Sequence, residues 1–309
     1  MEKQKHVGIL GIGVVAVDDV LYVERYPEAD QKVRVLRRRR CLGGQAGRAL
    51  VTVARLGGVA QYAGTLWHDD LSLIVLKRFD VEGVSAAHAV FREDAKPCHS
   101  TIVVDENSHT RTIFGHVTGY FGPDPQLPSE EVISGASVLL IDHHGVEGSL
   151  RAARIARATG VPVVADFERN TGGPFDELME QIDHMVFPYG FVKREGYDNG
   201  KGPEEAVRQL LQKYGATVVI TCGADGVWYA EPNTPEPRHF KAFEITPFDT
   251  NGCGDIFHGA YCVALSEGLD LHERVGFATA AAALGATQLR DSQNVPHRVT
   301  VDRFLEDAG

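Results

Sequence analysis

Between residues 137 and 221, short apolar runs alternate with longer amphipathic ones, and this alternation most limits what the chain can fold into. The apolar runs fall at 137–142, 161–165, 184–187 and 217–221, with helical patterns at 147–158, 175–181 and 204–214 between them. A strand buried on both faces reads as a nearly continuous apolar run. A helix after each strand carries the chain back for a parallel neighbour. The spacing therefore predicts a parallel sheet covered by helices. With 309 residues, 43% of them hydrophobic, the chain can bury one large core or two modest ones.

A formal net charge of −11 sets the chain against nucleic acid and anionic membrane, so neither is expected as a partner. An anionic nucleotide has to be received by a local positive site. The five cysteines, Cys41, Cys98, Cys222, Cys253 and Cys262, are odd in number and form no Cys-x-x-Cys pair. This argues against a disulfide framework or a zinc site and for a reducing cytoplasm. No run reaches transmembrane length. The stretch 7–17 reads as a buried first strand with Asp18 at its end. Its Gly11-x-Gly13-x-x-Ala16 is followed by β-like Val20-Leu21-Tyr22-Val23 rather than by a helix, which excludes a dinucleotide fingerprint.

The chemistry concentrates in Asp249-Thr250-Asn251-Gly252-Cys253-Gly254-Asp255, a small-residue loop that runs into an apolar helical pattern. Gly252 and Gly254 let the backbone approach a ligand and turn its N–H groups the same way. The helix dipole adds partial positive charge. Asp255 is a candidate general base beside this anion-binding loop, the pairing that phosphoryl transfer to an alcohol needs. No Gly-x-x-x-x-Gly-Lys-Ser/Thr string exists, so the cradle is not a P-loop. Arg37 to Arg40 read as a basic edge strand with at least two solvated members. The inward-facing ones, with Lys32 and Arg48, form a candidate site for an anionic substrate group. His143-His144 lacks a third nearby ligand and reads as a satisfied or substrate-facing pair whose rings point apart.

The string Asp249-Thr250-x-Gly252-x-Gly254-Asp255-x-Phe257 resembles the signature of the ribokinase (PfkB) family of carbohydrate kinases, with Cys253 where Ala is usual. The resemblance spans nearly the whole chain. It implies a ribokinase-like three-layer α/β sandwich, a mostly parallel central sheet and a small β-sheet lid formed by about 18–40 and 98–116, all in one domain of residues 1–309. It implies ATP and Mg2+ as cofactors, a small sugar as substrate and a homodimer paired through the lid. Catalysis would fall to Asp255, which takes the sugar's proton, and to the amides of Gly252, Cys253 and Gly254.

Residues 13–58 are most similar to ketohexokinases, without a gap across Asp18, Tyr26-Pro27, Asp30, Arg34 and Gly43-Gly44. This implies that Asp18, Asp30, Gly43 and Gly44 contact the sugar. Gln45 and Arg48 stand where those kinases carry two sugar-binding asparagines. Residues 142–166 resemble the sulfofructose-kinase branch, where this loop meets an anionic sugar end. Thr221-x-Gly223-x-x-Gly226 matches the family's nucleotide loop, Asn251 adjoins it, and Thr279 stands where an Asn often lies beside adenine. Asp249 falls near the family's monovalent-cation site. Arg290 falls at the usual glycine of the cation loop, so its guanidinium is expected to replace the cation. The family's Asn-x-x-Glu would fall on 189–192, which holds no carboxylate, so no protein ligand for Mg2+ is named. The rival readings are a nucleoside or sugar-phosphate kinase of the same family and a catalytically silent sugar- or nucleotide-sensing protein.

Overall fold

The computed structural model describes residues 8–108, 110–288 and 294–308. Arg290 lies outside the described residues. The chain opens with β1 (Ile9–Ile12), then enters a separate small sheet as β2 (Ala16–Val23) and β3 (Val35–Gly43). Helix α1 (Gln45–Arg55) returns it to the main sheet at β4 (Ala60–Tyr62). After β5 (Thr65–Leu66), α2 (Asp70–Glu82) and β6 (Val90–Phe91), the small sheet gains β7 (Cys98–Asp105) and β8 (Thr110–His116). Helix α3 (Glu130–Ser134) leads into β9 (Val138–Asp142), α4 (Val146–Thr159), β10 (Val163–Asp166), α5 (Phe175–Met179) and β11 (His184–Pro188). Next come α6 (Tyr189–Arg194), α7 (Pro203–Tyr214), β12 (Thr217–Thr221) and the hairpin β13 (Val227–Glu231) and β14 (Thr234–Phe240). Helices α8 (Cys253–Ser266), α9 (Leu271–Ala286) and α10 (Arg298–Ala308) follow.

The main sheet has eight strands in the order β14-β13-β12-β11-β10-β9-β1-β4. All pairs from β12 to β4 are parallel, and the terminal hairpin is antiparallel. Successive side chains of a strand face opposite sides, so each strand feeds two cores. Ile9 and Val164 pack with α1, α8 and α9 on one face, while Leu10, Ile12, Val163 and Ala165 pack with α4, α5 and α7 on the other. The result is a helix–sheet–helix sandwich, with the carboxyl ends of the parallel strands gathered on one rim.

The small sheet runs β3-β2-β7-β8 and stands over that rim. One expectation is corrected here: residues 7–17 are not one strand. The chain leaves the main sheet after Ile12 and re-enters β-structure in the small sheet, so Asp18 belongs to the lid. The cause is Asp142 at the end of β9, whose Oδ2 accepts the Val14 N–H at 2.6 Å. That bond takes up a donor which a continuing strand would use. Gly13 permits it, because a Cβ there would lie 2.2 Å from the same oxygen.

Candidate active site

Helix α8 starts at Gly252, whose φ of +79° is left-handed backbone that glycine adopts without strain. The loop before it is tied down twice. Asp249 Oδ1 accepts the Asn251 N–H at 2.9 Å, and the N–H groups of Phe248 and Asp249 both donate to Ala286 O in α9. Gly254 and Asp255 lie in the first helical turn, where amides have no intrahelical acceptor. Among the described residues, nothing outside its own helix backbone and chain neighbours lies within 4 Å of where a Cβ on Gly254 would be, so the space above that turn is open to a ligand. Burial pushes the Cys253 thiol up to about 11, which leaves it neutral and keeps negative charge out of the loop. Asp255 is third in the helix, its side chain 16% exposed. A cavity of about 370 Å³ separates the loop from the lid and is bordered by Tyr22, Arg37, Arg111, Phe248 and Thr250.

The other wall is built at the start of α1. Asp18 is 4% exposed, and a Cβ on Gly43 would stand 2.1 Å from its Oδ2, so the two strands can only bring this carboxylate here over a glycine. Gly44 has φ +83°, and a Cβ there would meet Val14 O at 2.5 Å. Gln45 Nε2 donates to Asp166 O at 3.1 Å. Arg48, 4% exposed, lies under the signature loop: its Nε is 3.3 Å from Asp255 Oδ2 and its Nη2 donates to Asn294 Oδ1 at 3.2 Å. Asp30 sits in the exposed turn between β2 and β3 with φ +63°, and its side chain makes no hydrogen bond among the described residues.

The expected anion site of Lys32, the inward arginines and Arg48 is corrected. Along β3 the arginines do alternate, but acids neutralise three of them. Arg38 and Arg40 reach Asp19 on the outer face of the lid, where His99 joins them, and Arg37 pairs with Glu106. These pairs hold Asp19 well below the usual carboxylate range, chiefly through the Arg40 hydrogen bonds. Lys32 is exposed, and Arg48 pairs with Asp255.

Beneath the cleft lies a polar layer that the motifs did not reveal. Asp142 and Asp166 sit side by side at the carboxyl ends of β9 and β10. Burial raises Asp142 to about 7, against two backbone N–H bonds that lower it, and it raises Asp166 well above the ordinary range. His258, in α8, touches Gly254 O through Nδ1 and Val186 O through Nε2, each at 2.8 Å. Each carbonyl is placed to accept an N–H from the ring, while burial lowers the ring's affinity for a second proton. Asp166 Oδ2 lies 3.3 Å from Nδ1. A chain of contacts thus runs from Gln45 through Asp166 and His258 to the loop carbonyl of Gly254. An available signal was an Asp closing each of two consecutive parallel strands, since ligands of such sheets sit outside the carboxyl ends.

His143 and His144 follow β9 with rings 4.1 Å apart, so they do not diverge as expected. Burial holds them down at about 3 and about 4, respectively, as neutral rings. His143 Nε2 accepts from Arg169 Nε at 3.1 Å. Arg169 is exposed, pairs with no carboxylate among the described residues, and lies within electrostatic reach of the Cys98 thiol, as does Asp18. No group of three or more His, Cys, Asp or Glu among the described residues could hold a metal ion.

On the nucleotide side, Thr221 ends β12 and Gly223–Asp225 form a single 3-10 turn. Gly226, φ +87°, lets that turn close against β14, where a Cβ would meet Phe240 O at 2.1 Å. Thr279 is buried in α9 and spends its hydroxyl on Val275 O at 2.7 Å. No helix among the described residues is long and apolar enough to cross a membrane.

An anion-receiving helix start with a carboxylate in its first turn, set in a parallel α/β sandwich under a β lid, defines a phosphotransferase that acts on alcohols. The comparisons agree: the profile of pfkB family carbohydrate kinases matches residues 11–298, and the chain belongs to that family. It is 25% identical to ribokinase from Bacillus subtilis (strain 168), over 95% of this chain and 98% of that one. It is 25% identical to ketohexokinase from Mus musculus, over 87% of this chain and 92% of that one. The structure of Arabidopsis thaliana ribokinase complexed with ribose and ATP superposes with a TM-score of 0.83 at 20% identity, covering 97% of this chain and 99% of that one. The fold is ribokinase-like, and the protein is a sugar or nucleoside kinase.

Proposed function

We propose that this protein transfers the γ-phosphoryl group of ATP to a primary hydroxyl of a fructose-like sugar that carries an anionic group. The observation that carries the reading is Asp255 in the first turn of α8, beside the open space over Gly254. The hydroxyl proton passes to an Asp255 carboxylate oxygen as the sugar oxygen bonds to the γ-phosphorus. The bond from that phosphorus to the bridging oxygen breaks, and ADP leaves with its electron pair. The amides of Gly252, Cys253, Gly254 and Asp255 meet the charge spreading over the phosphoryl oxygens. Asp18, Gly43 and Gly44 hold the sugar hydroxyls, Gln45 adjoins them, and Asp30 closes over from the lid turn. Thr221, Gly223, Gly226, Asn251 and Thr279 border the nucleotide.

The residues around the loop fit a triphosphate. Among the described residues no three His, Cys, Asp or Glu side chains gather there for Mg2+, so the metal is assigned to the nucleotide, whose charge it would neutralise when bound. The anionic group on the sugar is assigned to Arg169, an exposed cation that pairs with no acid among the described residues. A guanidinium of this kind recognises carboxylate, sulfonate or phosphate through paired N–H groups. A coupled ADP-release assay over neutral ketoses, sugar acids, sulfo-sugars, sugar phosphates and nucleosides tests the reading. The expected result is highest kcat/KM on an anionic sugar. Preference for neutral sugars or nucleosides would remove the anionic assignment, and no turnover at all would remove the kinase reading.

We also propose a homodimer through the lid. Val35, Leu36, Ile113 and Phe114 expose apolar surface on its two edge strands. Light scattering should return about twice the mass of one chain, and a monomer at every concentration would end the idea. The five free cysteines fit a cytoplasmic location, which cell fractionation checks.

A further inference from the structure

Arg48 lies 4% exposed beneath the loop that receives the phosphoryl group. Three contacts place it there. Its Nε is 3.3 Å from Asp255 Oδ2, and its Nη2 donates to Asn294 Oδ1 of the fully buried Asn294 at 3.2 Å. Its guanidinium also fills the space where Gly252 has no side chain, since a Cβ there would stand 2.2 Å from Nε. A guanidinium stays charged in any surroundings a protein offers.

We propose that Arg48 is a positioning residue for the transfer step: it keeps Asp255 ionised and oriented while a triphosphate occupies the neighbouring amides. The inference rests on the kinase reading above and adds to it. A carboxylate beside several phosphate charges gains proton affinity, because like charges disfavour ionisation. A base protonated when ATP binds cannot take the sugar's proton. A buried cation against the same carboxylate reverses that bias. Once the proton has moved to Asp255, the carboxyl is neutral and the guanidinium charge is left under Gly252, next to the phosphoryl oxygens.

Other charged and titratable groups also stand at this corner. On the loop and on α8 these are Asp249, the neutral Cys253 thiol and His258, which Asp166 faces at 3.3 Å. From the lid, Arg111 reaches Cys253 electrostatically, and from the end of β10, Glu168 reaches His258. Among the described residues, Arg48 is the cation in ion-pair contact with Asp255.

The test replaces Arg48 by Met, by Gln and by Lys in the full chain. Asp255 is titrated in ligand-free protein by 13C-carboxyl NMR, its signal assigned by its loss in Asp255→Asn. Removing an adjacent opposite charge moves a carboxyl by about 1–3 pH units. The Asp255 midpoint should therefore rise by about that much in Arg48→Met and Arg48→Gln, and by less in Arg48→Lys. The acid limb of kcat/KM should rise in parallel, with kcat reduced at least tenfold and sugar KM nearly unchanged. Should Arg48→Met not fold, Arg48→Gln is read the same way. An unmoved Asp255 midpoint in a folded neutral variant overturns the proposal. This titration needs no sugar, so the role of Arg48 can fail while the kinase reading stands, and the substrate panel can fail while the Asp255 midpoint still moves.

Discussion

Gly43 and Asp18 are register-shifted neighbours on β3 and β2, and the glycine's missing side chain is the space that the carboxylate occupies, with Oδ2 only 2.1 Å from where a Cβ would be. Gly43→Ala must therefore turn Asp18 or part the strands. The expected outcome is a sugar KM raised at least tenfold with ATP affinity unchanged, read from steady-state kinetics with each substrate varied in turn. Equal losses toward both substrates would contradict a role confined to the sugar.

Asp255→Asn keeps the shape of the helix start and removes the proton acceptor. Losing a general base costs about 10²–10⁴-fold in rate. We expect kcat to fall by that range while calorimetric sugar affinity stays within about threefold. Near-normal turnover would refute the assignment of Asp255.

His258→Leu strands Gly254 O, Val186 O and the Asp166 carboxylate without their donor. Leaving a buried acceptor unsatisfied costs about 1–3 kcal/mol. Urea unfolding should show that loss, and Asp166→Asn added to His258→Leu should recover part of it. A cost below about 1 kcal/mol would mean that the two carbonyls do not depend on this ring.

Asp142 titrates near 7 in the folded chain because burial disfavours its charge. An unfolded Asp titrates near 3.9. Between these values the folded state holds the extra proton, so this group makes stability fall as pH rises from about 4 to about 7, with no further change above. The pH dependence of Tm should be flatter in Asp142→Asn than in the parent over that window. A parallel pair of curves would show that Asp142 does not titrate there.

What could be read along the chain was what neighbours in sequence decide. The runs ending at Asp142, Ala165, Phe187 and Thr221 are strands because each is apolar throughout, and buried parallel strands need no alternation. The loop from Asp249 to Asp255 could be read because its glycines, its helix start and its carboxylate are consecutive, so local backbone geometry alone sets an anion site. The alternation of Arg37 to Arg40 was also legible, since neighbours in a strand must face opposite ways.

Tertiary structure decided everything that depends on which strands are adjacent. Residues 7–17 look continuous because the group that ends β1, the Asp142 carboxylate, is 128 residues from Val14 and arrives only when β9 pairs with β1. Nothing in the sequence ties Arg48 to Asp255. The packing of α1 against α8 puts its charge on Asp255, while Asp19 and Glu106 neutralise Arg37, Arg38 and Arg40. Periodicity and turn chemistry are local and survive in a linear string. The partner of a buried charge is chosen by sheet order and helix packing, and those exist only once the chain has folded.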